Sequence, residues 1–565
     1  MDAAASVPSA DRPVWGSGWS WAALALLIAG AGVHFAYLTS AGALDLSGDE
    51  AHYWEWSRRL DWSYYSKGPL VAWIIAASRR LLDTWSQHMV GSEALAVRLP
   101  AVLLSIGTGG GLFVLARAVT RSGRLALATV ACTFTIPVFA VGSILMTIDA
   151  PLACLYVWAL VAVERGLGSR AAAPWIVAGV LIALGILAKY TMVLVFPTVL
   201  LAAIVEPRFR AALRRPGPCA GALIGLAGFV PILIWNARHD WVSFRHVAGQ
   251  AGLAGAARFQ PLGPLDFVAG QLAVVGPIWF GAMVAAVVAL ARSPQPRPPE
   301  KHDTGAVRLL LAATVVPWAV FLAFSFRTKT QPNWPLPALL PGTIVMVCGL
   351  ARSWRAPSAG ARRWARIVVA AGTLWGGATV VLMHHTEWAL PVFKWLARRE
   401  PPWNLTPVAK YDPTARLRGW SELGRAVGEV WAAEQAAGRD PFIVTDDYQT
   451  ASQIAFYTPG RPTVHCLQAA LGDRQSQYDL WRPNPLRDPD VFVGRPCIYV
   501  GARKTLLFGD EASGHAALPE ARLVRTVEHA MKGWGTSAVV QVWSIHVCEA
   551  FGGLPLEPDS AGQRY

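Results

Sequence analysis

The stretch Gly48-Asp49-Glu50-Ala51-His52-Tyr53-Trp54 decides the reading of this chain. It follows the first membrane-length apolar run, residues 19–39, and opens a charged, aromatic segment that closes at Tyr64-Tyr65-Ser66-Lys67-Gly68-Pro69. Two adjacent carboxylates beside hydrocarbon are costly unless water, a cation or a substrate compensates them. A first loop can carry acids because it is wet, but Tyr, Trp and Lys beside them are the residues of a membrane–water interface. The stretch predicts an active site at the membrane surface.

The surrounding sequence fits that placement. Of 565 residues, 54% are hydrophobic, 15% are charged and 26 are Trp, the residue that collects where bilayer meets water. A hydrocarbon core needs about 20 apolar helical residues per crossing. Spans are expected at 19–39, 96–116, 125–145, 150–164, 174–189, 190–205, 218–236, 267–291, 308–326, 335–351 and 366–384, about eleven in all. The net charge of +14 would suit nucleic acid, but the cations fall in short clusters between apolar runs. Arg117, Arg121 and Arg124 form one cluster, Arg165 and Arg170 another, and Arg208, Arg210, Arg214 and Arg215 a third. Arg292, Arg297, Lys301 and Arg308 make a fourth, and Arg352, Arg355, Arg362, Arg363 and Arg366 a fifth. With these spans all five share one side, which the positive-inside rule makes cytoplasmic, and a nucleic-acid partner is excluded. The Asp49-Glu50 loop, Asp149, the 237–266 loop and everything after residue 385 then lie outside. Ala41-Gly42-Ala43 imitates a signal-peptide cleavage site, but the run before it is long for a signal, so an uncleaved first helix with a cytoplasmic N-terminus is expected.

The predicted fold is mainly α, a polytopic membrane protein carrying a C-terminal extracytoplasmic α/β domain. Residues 1–385 form the membrane catalytic domain with an outer loop at 42–95, and 386–565 the soluble domain, long enough for its own core. Strands are expected at 442–445, 497–500 and 538–543, a helix at 448–457, and a Pro-rich cytoplasmic linker at 293–299. The seven cysteines show no close-spaced metal pattern; among Cys466, Cys497 and Cys548 one pair is open to oxidation in an outer compartment. No P-loop or dinucleotide fingerprint occurs.

Asp49 is the candidate base, ionised at neutral pH and able to take a proton from an attacking hydroxyl; Glu50 supports it or caps a helix. Asp149, before Pro151, either completes a two-carboxylate site, with a divalent metal as a possible guest of Asp49 and Asp149, or caps the next helix. Lys67 either neutralises a phosphate leaving group or anchors the interface. Arg98 and Lys189 are isolated cations that bind phosphate or pair with an acid. Arg327, Lys329, Asn333 and Trp334 make a candidate head-group contact, since indole faces cover sugar C–H surfaces and amides bond hydroxyls.

The motifs Gly48–Trp54, Leu60–Leu70, Ala96-Val97-Arg98-Leu99-Pro100 and Thr147–Leu152, in that order, resemble the bacterial branch of the GT-C integral-membrane glycosyltransferases. That branch includes lipid A aminoarabinose transferases and relatives of the protein O-mannosyltransferases. The resemblance covers roughly residues 20–350. It implies transfer of a sugar from a polyprenyl-phosphate carrier to an envelope acceptor (lipid A, another glycolipid or polysaccharide, or protein) on the outer face of the bacterial inner membrane, usually with inversion. It also implies Asp49 as the first-loop acid, Lys67 at the carrier phosphate, Asp149 as the second-loop acid, and Tyr53 and Tyr64 as cavity aromatics. The chain departs from the aminoarabinose enzymes at Ser66 and Gly68, where they carry Glu and Pro, so that sugar is not carried over. In the tail, Tyr448, Gln449, Gln477, Tyr478 and Trp481 are candidates for acceptor binding. Two other classes compete: a lipid-linked glycan flippase, which would want polar groups at mid-membrane, and a membrane-anchored glycan-binding protein.

Overall fold

The computed structural model describes residues 18–253, 259–292, 304–401, 403–471, 473–481, 486, 489–501 and 517–554. The Pro-rich linker expected at 293–299 lies outside them. The first apolar run is helix α1 (Gly18–Leu38); the acidic motif is a short helix, α2 (Gly48–Arg58). Then come α3 (Leu70–Val90), α4 (Ala94–Thr120), α5 (Gly123–Thr133), α6 (Pro137–Gly142), α7 (Asp149–Gly168) and α8 (Ala173–Ala188).

Among the described residues seven helices are long and apolar enough to cross a bilayer, eight if one bent pair counts as a span. Two of the eleven expected runs are interrupted. The run 125–145 is broken into α5 and α6, because Thr135-Ile136-Pro137 interrupts the ladder where proline has no N–H to give. The run 267–291 is two helices, Gly263–Val275 and Pro277–Ala291, bent by 111°. The break falls at Gly276, whose φ of 88° is open to glycine and strained for other residues. The segments at 173–188 and 190–205 are helical but short of a full crossing.

After residue 385 the chain builds a five-stranded sheet in the order β2-β1-β3-β5-β4, from β1 (Phe442–Thr445), β2 (Val464–Cys466), β3 (Cys497–Val500), β4 (Arg522–Gly533) and β5 (Thr536–Cys548). β1 pairs in parallel with β2 and β3, while β5 runs antiparallel to β3 and β4. Cys497 lies opposite Cys548 in the β3–β5 register, whereas Cys466 sits on β2, two strands from β5 with β1 and β3 between.

One apolar core joins this region to the first loop. Leu46, Trp54, Trp56, Tyr64 and Ile75 pack in the same cluster as Leu423, Ile443, Ile454, Phe456 and Ile498. The helix Tyr448–Tyr457 lies on α2, with Trp54 and Phe456 edge to face at 4.9 Å between ring centres. Polar contacts pin the same seam: the Tyr457 hydroxyl accepts the Leu46 N–H at 2.8 Å, and the Gln453 amide donates to the Leu46 carbonyl at 2.6 Å. The acidic motif is thus clamped between the membrane helices and the C-terminal sheet.

Candidate active site

The sequence around the two acids folds into a capping box. Ser47 precedes α2; its hydroxyl accepts the Glu50 N–H at 3.2 Å, and the Glu50 carboxylate accepts the Ser47 N–H at 2.9 Å. Glu50 is completely buried and forks with Arg98, at 3.0 Å to Nε and 2.9 Å to Nη2, while also taking the Met146 N–H at 3.0 Å. Arg98 spends its remaining donors on the carbonyls of Leu44 (2.7 Å) and Asp45 (2.8 Å). This network fixes the start of α2 to α4 and to the segment before α7, and neither Glu50 nor Arg98 lines the main cavity.

Because consecutive helical residues point about 100° apart, fixing Glu50 inward turns Asp49 out. Asp49 lines a cavity of about 940 Å³ between the membrane helices and the C-terminal region. Its Oδ1 accepts bonds from the Gln449 amide at 3.3 Å and the Tyr448 hydroxyl at 3.5 Å. Among the described residues Oδ2 carries no protein hydrogen bond. Tyr53, one turn along α2, lines the same space. Its hydroxyl is held well above the ordinary phenol range by burial and by the charge of Asp49.

Lys67 reaches the cavity from the turn before α3; its carbonyl accepts the Tyr64 N–H at 3.1 Å and the Ser63 hydroxyl at 3.3 Å, while its ammonium makes no hydrogen bond or ion pair with the described residues. Burial, followed by the charge of Lys189, pulls its ammonium down to about 8. Gly68 makes this turn possible: a Cβ there would stand 2.2 Å from the Leu187 carbonyl oxygen at the end of α8. Asp149 opens α7, and both its oxygens are taken, by Lys189 at 2.7 Å and by the Asn333 amide at 2.7 Å. Three elements distant in sequence are locked together there. Lys329 and Trp334 line the cavity beside Asn333.

Four of the expected site residues lie away from the cavity lining. Glu50 and Arg98 satisfy one another away from the cavity. Tyr64 is fully buried, stacked on Trp56 at 4.3 Å, with its hydroxyl donating toward the carbonyls of Trp56 (3.1 Å) and Arg59 (3.2 Å), so it braces the loop. Arg327 is not among the cavity-lining residues and packs against Gly252. Of the tail residues, Tyr448 and Gln449 reach the cavity; Gln477 accepts the Tyr65 N–H at 2.6 Å, Tyr478 bonds Ser452 at 3.0 Å, and Trp481 lies under Arg59 at 4.6 Å. Among the described residues no group of three His, Cys, Asp or Glu comes together to hold a metal ion.

Three cavity residues carry no signal in the sequence motifs. His246, on the helix Val242–Gln250, is 1% exposed with both ring nitrogens unpartnered, and burial together with Lys67 depresses it to about 3, so it is neutral. Arg416 and Arg474 enter from the C-terminal region, Arg474 with its guanidinium 4.9 Å from the centre of the Tyr448 ring. His52, inside the motif, is depressed to about 3 by burial and by Arg474; its ring accepts the Trp56 indole N–H at 3.1 Å and faces the Ser452 hydroxyl at 3.0 Å.

Comparison with known proteins agrees with this architecture. Residues 66–235 match a family model described as dolichyl-phosphate-mannose-protein mannosyltransferase. A curated relative, the lipid A galacturonosyltransferase RgtD of Rhizobium johnstonii, is 29% identical over 317 residues, 55% of this chain and 62% of its own length. The chain therefore matches less than two thirds of that relative. Among solved structures, ArnT from Cupriavidus metallidurans bound to undecaprenyl phosphate superposes with a TM-score of 0.58 at 17% identity, covering 94% of this chain and 98% of that one. Its apo form gives 0.53 at 16% identity over the same shares. The chain is an integral membrane protein with the fold of ArnT, and its residues 66–235 are similar to the protein mannosyltransferases.

Proposed function

We propose that this protein transfers a sugar from a polyprenyl-phosphate carrier to lipid A at the outer surface of the inner membrane. The observation that carries the reading is Asp49, with one carboxylate oxygen tethered by Tyr448 and Gln449 and the other open to the cavity that Lys67 also lines. In a single displacement the acceptor oxygen attacks the anomeric carbon and the bond to the phosphate oxygen breaks. The electron pair stays on the phosphate beside Lys67, the acceptor's proton passes to Asp49, and configuration inverts. An acceptor that is already a phosphate brings no proton, and Asp49 then serves by orientation and charge. Asp149, bound by Lys189 and Asn333, positions the cavity wall.

Relatives support donor and acceptor separately: the ArnT structure holds undecaprenyl phosphate, and RgtD is described as acting on lipid A. Charge supports the outer-face placement. α4 lines the cavity between Ala101 and Leu112 and is followed by Arg121, α7 starts at the cavity with Asp149 and carries Arg165 in its last turn, and α8 runs from near Arg170 to Lys189, so the arginine clusters sit at the ends of these helices away from the cavity. The described residues of the C-terminal region act as a cover that holds Asp49 through Tyr448 and Gln449. The test is transfer by the full chain in proteoliposomes: a sugar-mass gain on lipid A supports the reading, and a chain that moves prenyl-linked sugar across the bilayer without transferring it contradicts it.

A further inference from the structure

Among the described residues after 385, four tryptophans are exposed: Trp388, Trp395, Trp403 and Trp534. The fold gathers three of them. The helix Ala359–His384 is long and apolar enough to cross a bilayer, and the chain leaves it through the short turn Thr386–Ala389 into the helix Leu390–Ala397. Leu390, Phe393 and Ala397 form one face of that helix and pack with Val408, Met531 and Val540 in a small core. Val392 and Trp395 lie on the other side, as a step of about 100° per residue requires. With Trp388 they stand 52–55% exposed.

The hairpin of β4 and β5 brings the third ring. Its turn, Trp534-Gly535, has positive φ at both residues, 50° and 69°, where a bulky side chain is disfavoured. Trp534 occupies it nonetheless, 74% exposed, with its indole N–H donated to the Trp388 carbonyl at 2.9 Å. Lys394 ties helix and turn together through the Thr536 hydroxyl.

Water does not stabilise three indoles and a valine grouped in this way; such a patch is a surface for an apolar partner. Lipid and a second protein chain both qualify, and three features select lipid. Trp388 comes four residues after His384, the last residue of a membrane-length helix, so the patch starts within about 14 Å of it even at full stretch. Tryptophan concentrates at head-group level, where an apolar ring and a polar N–H are both satisfied. Arg398 and Arg399 are exposed just past the helix, Arg399 with its guanidinium 5.7 Å from the centre of the Trp395 ring, and cations in that position suit lipid phosphates.

We propose that the face made by Trp388, Val392, Trp395 and Trp534 sits in the lipid head-group layer of the leaflet where the helix Ala359–His384 ends. The C-terminal region is then held twice, by its seam with α2 and by lipid, and the second hold steadies the part of the chain that carries Tyr448 and Gln449.

Nitroxide labels at Val392→Cys and Trp534→Cys test this, with Ala436→Cys, exposed at the end of the helix Trp420–Ala436, as the aqueous control. Each goes into the full chain carrying Cys219→Ser, in vesicles of phosphatidylethanolamine and phosphatidylglycerol, and the labelled Cys219→Ser parent supplies the background. The labels at 392 and 534 should lie about 5–10 Å into the interface, open to oxygen and shielded from a water-soluble nickel chelate at least about fivefold relative to 436. Because Trp534→Cys removes a ring from the patch, the wild-type chain in vesicles holding a photoactivatable phospholipid gives a second reading: lipid adducts should map to residues 388–395 and 533–536. Labels at either position as open to the nickel chelate as 436, or a wild-type chain without adducts in those two segments, overturn the proposal. Shielding from both reagents with spin–spin broadening also overturns it, because a second copy of the chain then covers this face.

Discussion

Replacing Glu50 separates the acid that builds the site from the acid proposed to react. Glu50 is fully buried, meets Arg98 at 2.9 and 3.0 Å, and accepts the N–H groups of Ser47 and Met146. Removing one partner of such a pair strands the other charge in a dry interior, at about 3–5 kcal/mol. Glu50→Ala also loses the capping box, worth about 1 kcal/mol. Glu50→Gln keeps a capping side chain but strands Arg98, so its cost stays near the lower figure. The double variant Glu50→Gln with Arg98→Met removes the stranded charge but leaves the Leu44 and Asp45 carbonyls short of donors, so recovery is partial, with a coupling of about 2–3 kcal/mol. In a chain of this size these losses lower the apparent melting temperature by roughly 3–5 °C. Size-exclusion thermostability in detergent reads the stability, and a transfer assay on the surviving folded fraction reads the chemistry. The reasoning is refuted if Glu50→Gln melts like wild type and yet transfers nothing, because Glu50 would then take part in the reaction.

Asp49→Asn should insert and fold normally yet lose transfer by at least about 100-fold to a hydroxyl acceptor; a variant with full activity removes Asp49 from the mechanism. Lys67 is a cation below about pH 8 and neutral above it, so its hold on the donor phosphate weakens as pH rises through that value. The plot of log kcat/KM should bend downward there, and Lys67→Arg should shift the bend beyond pH 9; an unchanged profile reduces Lys67 to an anchor. Gly68→Ala drives a methyl into the Leu187 carbonyl, and the displaced turn should cost about tenfold or more in kcat/KM with little loss of insertion. Cys497 and Cys548 face each other across two strands, so differential alkylation with mass spectrometry should find them protected together if the C-terminal region meets an oxidising compartment. Cys466 should remain a thiol.

The site's first half is legible in the sequence because it is local. Gly48 to Pro69 presents an acid, aromatics and a lysine within about twenty residues, and a hydrophobic period identifies the helices on either side. The two interrupted runs are apolar throughout, and apolarity cannot report a bend set by the φ of Gly276 or a ladder cut at Pro137. Partnerships across long separations left no trace. Glu50 finds Arg98 across 48 residues, Asp149 finds Asn333 across 184, and Asp49 finds Gln449 across 400. Arg474 looks like any surface arginine until the fold lays it over Tyr448. An adjacent acid pair also reads as one functional unit, although the helical turn between neighbours sends Asp49 to the cavity and Glu50 to the core.

The central claim is that Asp49 serves a lipid-borne sugar in an outward-facing cavity. Purified chain in proteoliposomes, supplied with prenyl-phosphate-linked sugar and lipid A and read by mass spectrometry, tests it most directly. The account predicts that lipid A gains one sugar residue with wild-type protein and none with Asp49→Asn. Lipid A unchanged with the folded wild-type chain, or modified equally by both proteins, would contradict it.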